Sequence, residues 1–153
     1  MRPRLERSID FWLPVFEAPE CQASHCGLPI NRDALEQTLV SPMVYPLAGE
    51  NGGYLFIQKD PYGTVWELHS IFTRPGWGRE AATIGKGALD VMIERGLQVL
   101  FTMEVQGLPT PPLSYGWKTA GAEFMETPIG LARIWILTKD AWLASPACRK
   151  WSA

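Results

Sequence analysis

WELHSIFTRPGWGREAATIGKG, residues 66–87, decides how the rest of the chain is read. Its first part belongs to TVWELHSIF (64–72), where β-branched and aromatic residues mark a central strand. Val65, Glu67, His69 and Ile71 then share one face, and Trp66, Leu68, Ser70 and Phe72 the other. Its last part changes period. Ala81, Ile84, Ala88 and Val91 fall at helical spacing, with Lys86, Asp90 and Glu94 on the opposite side, over about residues 80–95. A strand that runs through a glycine-rich loop into a helix is either an ordinary surface turn or an anion site. The anion reading rests on the first helical amides, which have no internal partner and carry the positive end of the helix dipole. Gly76 and Gly78 allow backbone approach, the amides of residues 78–82 can converge on a phosphate, and Arg79 and Arg74 add positive charge beside them. The loop is neither a dinucleotide fingerprint nor a P-loop. Gly85 and Gly87 each weaken an isolated helix by roughly 1 kcal/mol relative to alanine, which suits a helix lying close against a sheet or ligand.

Upstream, residues 1–30 are broken by Pro3, Pro14, Pro19 and Pro29, and FWLPVF reads as an irregular apolar segment packed on the domain. DALEQTLV (33–40) is the first clear helix, with Asp33 and Glu36 as a capping box and Ser41-Pro42 as its stop. MVYPLAG (43–49) and GYLFIQK (53–59) are strands of a hairpin signalled by Asn51-Gly52, and Pro46 places the first at an edge or a bulge. Downstream, Gly96 ends the long helix and LQVLFTMEV (97–105) is the next strand. The proline-rich run that follows allows a turn of helix near 113–115, then AEFMET (122–127) and ARIWILT (132–138) form a hairpin. Asp140 caps a brief terminal helix that Pro146 limits. This order predicts a single-domain α/β fold, its mixed sheet mostly antiparallel with a strand-helix-strand crossover at the centre.

The bulk properties narrow the function. One ordinary domain accounts for 153 residues, and a formal charge of -2 disfavours non-specific nucleic-acid binding. Three cysteines without CxxC spacing and two histidines, His25 and His69, are poor material for a zinc site, so no metal is expected. A Cys21–Cys26 disulfide is sterically conceivable, whereas reduced thiols suit a cytoplasmic protein. No signal peptide or membrane span is read from the chain. Seven tryptophans divide into core candidates such as Trp66 and Trp135, and Trp77 and Trp151, whose positions suggest a surface patch for a partner or substrate.

The strand, loop and helix of 67–96 together resemble the GCN5-related N-acetyltransferase (GNAT) family, in particular its divergent bacteriophage and prophage members. The resemblance covers about 31–138, which marks 31–153 as an acyl-CoA N-acyltransferase-like domain preceded by the segment 1–30. Family members transfer an acyl group from acyl-coenzyme A, and a Gln/Arg-x-x-Gly-x-Gly/Ala loop after a bulged strand cradles the cofactor pyrophosphate. Trp77, Gly78, Arg79, Glu80, Ala81 and Ala82 stand at that loop, and Ile71 and Phe72 at the strand end that would meet the cofactor. Ala82 agrees with the last position, but Trp77 replaces Gln or Arg and Glu80 replaces the first glycine. A glutamate facing a pyrophosphate repels it, so either Glu80 points away or the cofactor site is altered or lost.

The resemblance implies acetyl-CoA or coenzyme A as cofactor and direct transfer to a small-molecule amine, a peptide or a protein lysine. Glu67 or His69 would take the amine proton, directly or through water, and a backbone amide near His69 to Phe72 would polarise the thioester carbonyl. Tyr115, beside Gly116 and Trp117 at the family's Gly-Phe position, is the candidate for protonating the thiolate or else a core tyrosine. In the alternative reading Glu67 serves only as an ion-pair partner of Arg79 or another basic residue, and His69 is a satisfied strand-end residue. The alternative function is a catalytically inactive protein of the same fold with an interaction role. Edge-strand pairing or tryptophan packing would support a homodimer.

Overall fold

The computed structural model describes residues 2–24, 30–121, 123–128 and 130–152. His25 and Cys26, and with them the Cys21–Cys26 pairing, lie outside these; Cys21 itself is a buried free thiol. The strands are β1 (Arg4–Leu5), β2 (Val44–Ala48), β3 (Gly52–Gln58), β4 (Val65–Phe72), β5 (Val99–Val105), β6 (Lys118–Thr119), β7 (Met125–Thr127) and β8 (Gly130–Thr138). The helices are α1 (Ile9–Glu17), α2 (Arg32–Val40), α3 (Arg79–Glu94), α4 (Lys139–Leu143) and α5 (Pro146–Ser152). One sheet contains all the strands in the order β1-β2-β3-β4-β5-β8-β6, with β7 also on β8. Every pairing is antiparallel except β4–β5, which the α3 crossover joins in parallel.

Side-chain alternation divides the core into two layers. Phe56, Trp66, Leu100, Trp135 and Leu137 pack with Ala88, Leu89 and Met92 of α3 and with Trp142 and Ala147 of the terminal helices. Val44, Ala48, Leu55 and Ile71 pack on the other face with Trp12 and Phe16 of α1 and Leu35 and Leu39 of α2. α3 lies close to the first layer. A Cβ on Gly85 would come 2.9 Å from the Tyr54 hydroxyl of β3, and one on Gly87 2.7 Å from Pro3 Cδ.

Several elements differ from the sequence reading, each for a local reason. Residues 9–17 are a helix despite Pro14, because its turn buries Trp12, Val15 and Phe16 on one side. Burial of two large aromatics, roughly 2–3 kcal/mol each, outweighs the backbone bond that an interior proline forfeits. α2 starts one residue earlier than Asp33, and its cap is Asn31, whose side chain accepts from Ala34 N at 2.8 Å. Asn31→Ala is therefore expected to cost about 1 kcal/mol in urea unfolding, with no change in the site. Pro46 is not in an edge strand: β1 pairs outside β2, and Glu6 N donates to the Pro46 carbonyl at 3.0 Å. Because a strand residue directs N and O to the same side, the missing N–H faces the short β1 and leaves the β3 ladder intact. The tip of the β2–β3 hairpin is Glu50-Asn51, closed by Gly49 N to Gly52 O at 2.8 Å, so the Asn-Gly pair is offset by one position. The brief helix α4 ends at Leu143, before Pro146, and Pro146 opens a further helix, α5, where its missing N–H is harmless and Ser145 Oγ accepts from Cys148 N. α4 is capped by Thr138 rather than Asp140.

Candidate active site

The two central strands separate along their length. β4 and β5 pair only at Val65↔Val99, Trp66↔Leu100 and Glu67↔Phe101, after which β4 stays with β3 to Phe72 and β5 stays with β8 to Val105. No bulge interrupts β4: its register with β3 is continuous from Gly52↔Phe72 to Gln58↔Trp66. The strand ladder itself therefore supplies the free backbone groups. Gly49 N to Gly52 O and Gln58 N to Met43 O direct the even residues of β3 toward β2. Its odd residues consequently bond Glu67, His69 and Ile71, so the backbone groups of Leu68, Ser70 and Phe72 face β5. Thr102 Oγ1 enters the opening and donates to Leu68 O at 2.9 Å. Beyond it, the Ser70 and Phe72 amides point into the cleft between the strands. The Phe72 carbonyl is taken by Trp77 Nε1 at 2.9 Å and the Cys21 thiol at 3.2 Å.

Glu67 and His69 stand at the narrow end of this cleft, on the α1/α2 face. His69, 7% exposed, places Nε2 3.1 Å from Glu67 Oε1, and Lys59 Nζ lies 3.6 Å from the same oxygen. The His69 hydrogen bond is the main cause that holds the Glu67 carboxyl below the ordinary carboxylate range, with Lys59 and the His69 charge acting in the same direction against burial. An ionised Glu67 accepting from Nε2–H leaves Nδ1 as the basic nitrogen of the ring. Directly beside Glu67 on β5 is Phe101, a neighbour set by strand register and invisible to local spacing.

At the wide end, β4 leads through a single turn at Arg74–Gly76 into α3. Gly78 precedes the helix at φ 81°, a conformation that, rather than lack of space, calls for glycine. The first helical bond is Ala82 N to Gly78 O at 2.9 Å, so the amides of Arg79, Glu80 and Ala81 precede it. Tyr54 donates to Ala81 O at 2.7 Å and Tyr115 to Ala82 O at 3.1 Å, which fixes this turn over the sheet. Burial raises the pKa of both phenols. Tyr115 is 8% exposed and packs on Trp142, so its proton is committed to the helix in this state.

The two residues that depart from the family loop have defined contacts. The Glu80 carboxylate turns back to the hairpin tip and accepts from Glu50 N at 2.8 Å and Asn51 N at 3.2 Å. Trp77 is 52% exposed, lies under the Arg74 guanidinium at 5.0 Å and covers the end of β4 through its Phe72 bond. Arg79 is exposed and lines a surface depression of about 440 Å³ with Glu50, Asn51, Pro75, Glu80 and Thr83. Thus Phe72, Trp77, Gly78, Arg79, Glu80, Ala81 and Ala82 converge at one end of the cleft. Ile71 does not: its side chain is fully buried against the α1/α2 core. Among the described residues, no cluster of three or more His, Cys, Asp or Glu side chains could hold a metal, and no helix is long and apolar enough to cross a membrane.

No protein-family model and no curated protein matches the chain. Solved structures do. A spermidine N-acetyltransferase from Vibrio cholerae in complex with coenzyme A and spermine is similar over 92% of this chain and 96% of its own, with TM-score 0.65 and 14% identity. Another structure of the Vibrio cholerae enzyme reaches TM-score 0.67 at 16% identity over 94% of this chain and 95% of that one. The aminoglycoside acetyltransferase AAC(6')-Ib with coenzyme A gives TM-score 0.62 at 10% identity, covering 92% of this chain and 95% of that chain. The protein therefore has the GNAT acetyltransferase fold.

Proposed function

We propose that the protein is an acyl-CoA-dependent N-acyltransferase that moves an acetyl group directly from acetyl-CoA to an amine. The observation that carries this reading is the β4–β5 cleft, which joins unpaired strand amides to a helix terminus at one end and a His-Glu pair at the other. Complexes of fold neighbours with coenzyme A support the same cofactor. Acetyl-CoA supplies an acyl group activated as a thioester.

The protein's own groups divide the remaining work. The free amides of Gly78, Arg79, Glu80 and Ala81 and the Arg79 side chain attract the pyrophosphate, a task that Glu80 permits by directing its carboxylate to the hairpin, while the Ala82 amide is held by Gly78 O. The Ser70 amide donates to the thioester oxygen, where negative charge grows as the amine attacks. His69 Nδ1 removes the amine proton while Glu67 holds the ring through Nε2. Tyr115 protonates the departing thiolate only after giving up its bond to Ala82.

A second reading, an interaction protein without activity, is favoured by the Trp77 indole on the Phe72 carbonyl and by the tethered Tyr115. Calorimetric titration with acetyl-CoA and with coenzyme A separates the two. Saturable binding of both is expected. Binding of neither at high protein concentration excludes the transferase.

A further inference from the structure

The strand register identifies the surroundings of the His-Glu pair, and these point to the class of acceptor. Residues paired across strands share a face, so the row through Glu67 reads Val44, Ile57, Glu67, Phe101, Ile136 and Lys118. The same face carries Val65 and Val99 on one side of that row, and Met103 and Ile134 on the other. α1 and α2 cover the β2–β4 part of this face. Over β5 and β8 it stays open: Val99, Phe101, Met103 and Ile136 are partly exposed, and Ile134 is 44% exposed.

Charge on this face is sparse and lopsided. Among the described strand residues Glu67 is its one acid, and His69 and Lys59 already occupy that carboxylate. Lys118, paired with Ile136, adds a cation at the far side. A polycationic acceptor would bring several charges to a strand surface whose one carboxylate is already paired, and would meet Lys59 and Lys118. An apolar body instead covers Phe101, Met103, Ile134 and Ile136 and keeps one amine for His69.

We infer that the acceptor is an amine carried on an apolar or aromatic body with no second positive charge. This rests on the transferase reading of the site. The apolar strip continues from the His-Glu pair, which commits it to the acceptor and not to a second copy of the chain.

The test compares 2-phenylethylamine with spermine in acetyl-CoA turnover, followed by thiol release, together with calorimetric binding of each amine and of acetyl-CoA. The wild type is expected to favour phenylethylamine in kcat/KM by about tenfold or more. Phe101→Glu, or Ile134→Glu at the exposed position should the first not fold, is expected to shift that ratio toward spermine by about tenfold. Acetyl-CoA binding with an equal or better rate for spermine overturns the acceptor class and leaves the transferase intact. Phenylethylamine binding without acetyl-CoA binding supports the apolar-amine preference of the strip and removes the transferase, and with it the role of acceptor. A wild-type dimer that either variant makes monomeric, with no phenylethylamine binding, assigns the strip to self-association and overturns the inference.

Discussion

His69→Ala is expected to lower kcat by about 10²–10⁴-fold while acetyl-CoA binding, read by calorimetry, stays unchanged. The asymmetry follows from position. His69 lies on the α1/α2 face beside Glu67, whereas the helix terminus proposed to hold the cofactor phosphates begins at Gly78. Loss of cofactor binding together with activity would mean that the ring supports the fold of β4 and does not act as base.

Glu67→Gln separates orientation from charge. Glu67 is held below the ordinary carboxylate range, chiefly by the His69 hydrogen bond, so it is ionised near neutrality and unsuited to be the base. The variant keeps an oxygen for Nε2–H but loses the charge that stabilises a protonated ring, so kcat falls by less than in His69→Ala. The same lowered value has a consequence for stability. It contributes above the unfolded carboxylate pKa of about 4.3 and is lost as pH falls through the folded value. Acid unfolding of Glu67→Gln should therefore show a shallower pH dependence than that of the wild type. Equal slopes would mean that the pair stabilises the unfolded and folded chains alike.

The parts of this arrangement that could be read in advance are those encoded within a few residues. The change of period inside 66–87 marks β4, the loop and α3, and the glycines of α3 mark its close approach to Tyr54 and Pro3. Other features depend on residues far apart in the chain. The cleft opens because β4 follows β3 and β5 follows β8, and no property of β4 alone reveals where its pairing with β5 stops. Phe101 meets Glu67 only through register, and the direction of the Glu80 carboxylate depends on amides about thirty residues upstream. α1 was hidden for a different reason: Pro14 is a strong local signal against a helix, and only the tertiary burial of Trp12 and Phe16 overrides it.

Glu80→Ala is expected to destabilise the protein by about 2 kcal/mol in urea unfolding, because it leaves the Glu50 and Asn51 amides without their charged acceptor. The hairpin tip would keep its second attachment, Thr73 N and Oγ1 to Asn51 O, so the fold survives. Coenzyme A binding should weaken as the loop loses its fixed position over the tip. Glu80→Gln has the opposite effect on binding. Its side-chain oxygen can still accept from the hairpin, while the negative charge at the second residue of α3 is removed. That charge favours the helix dipole by about 0.3–1 kcal/mol and competes with a phosphate for the same field. Coenzyme A should therefore bind Glu80→Gln more tightly than the wild type at low salt, and the difference should shrink as salt screens the carboxylate. Weaker binding by both variants would show that the charge itself is required, which is incompatible with a pyrophosphate at this terminus. An unchanged stability for Glu80→Ala would remove the hairpin contact as the reason a glutamate is tolerated there. The pair of substitutions thus distinguishes a residue that holds the loop from one that closes the site, a distinction that depends on the carboxylate facing Glu50 and Asn51.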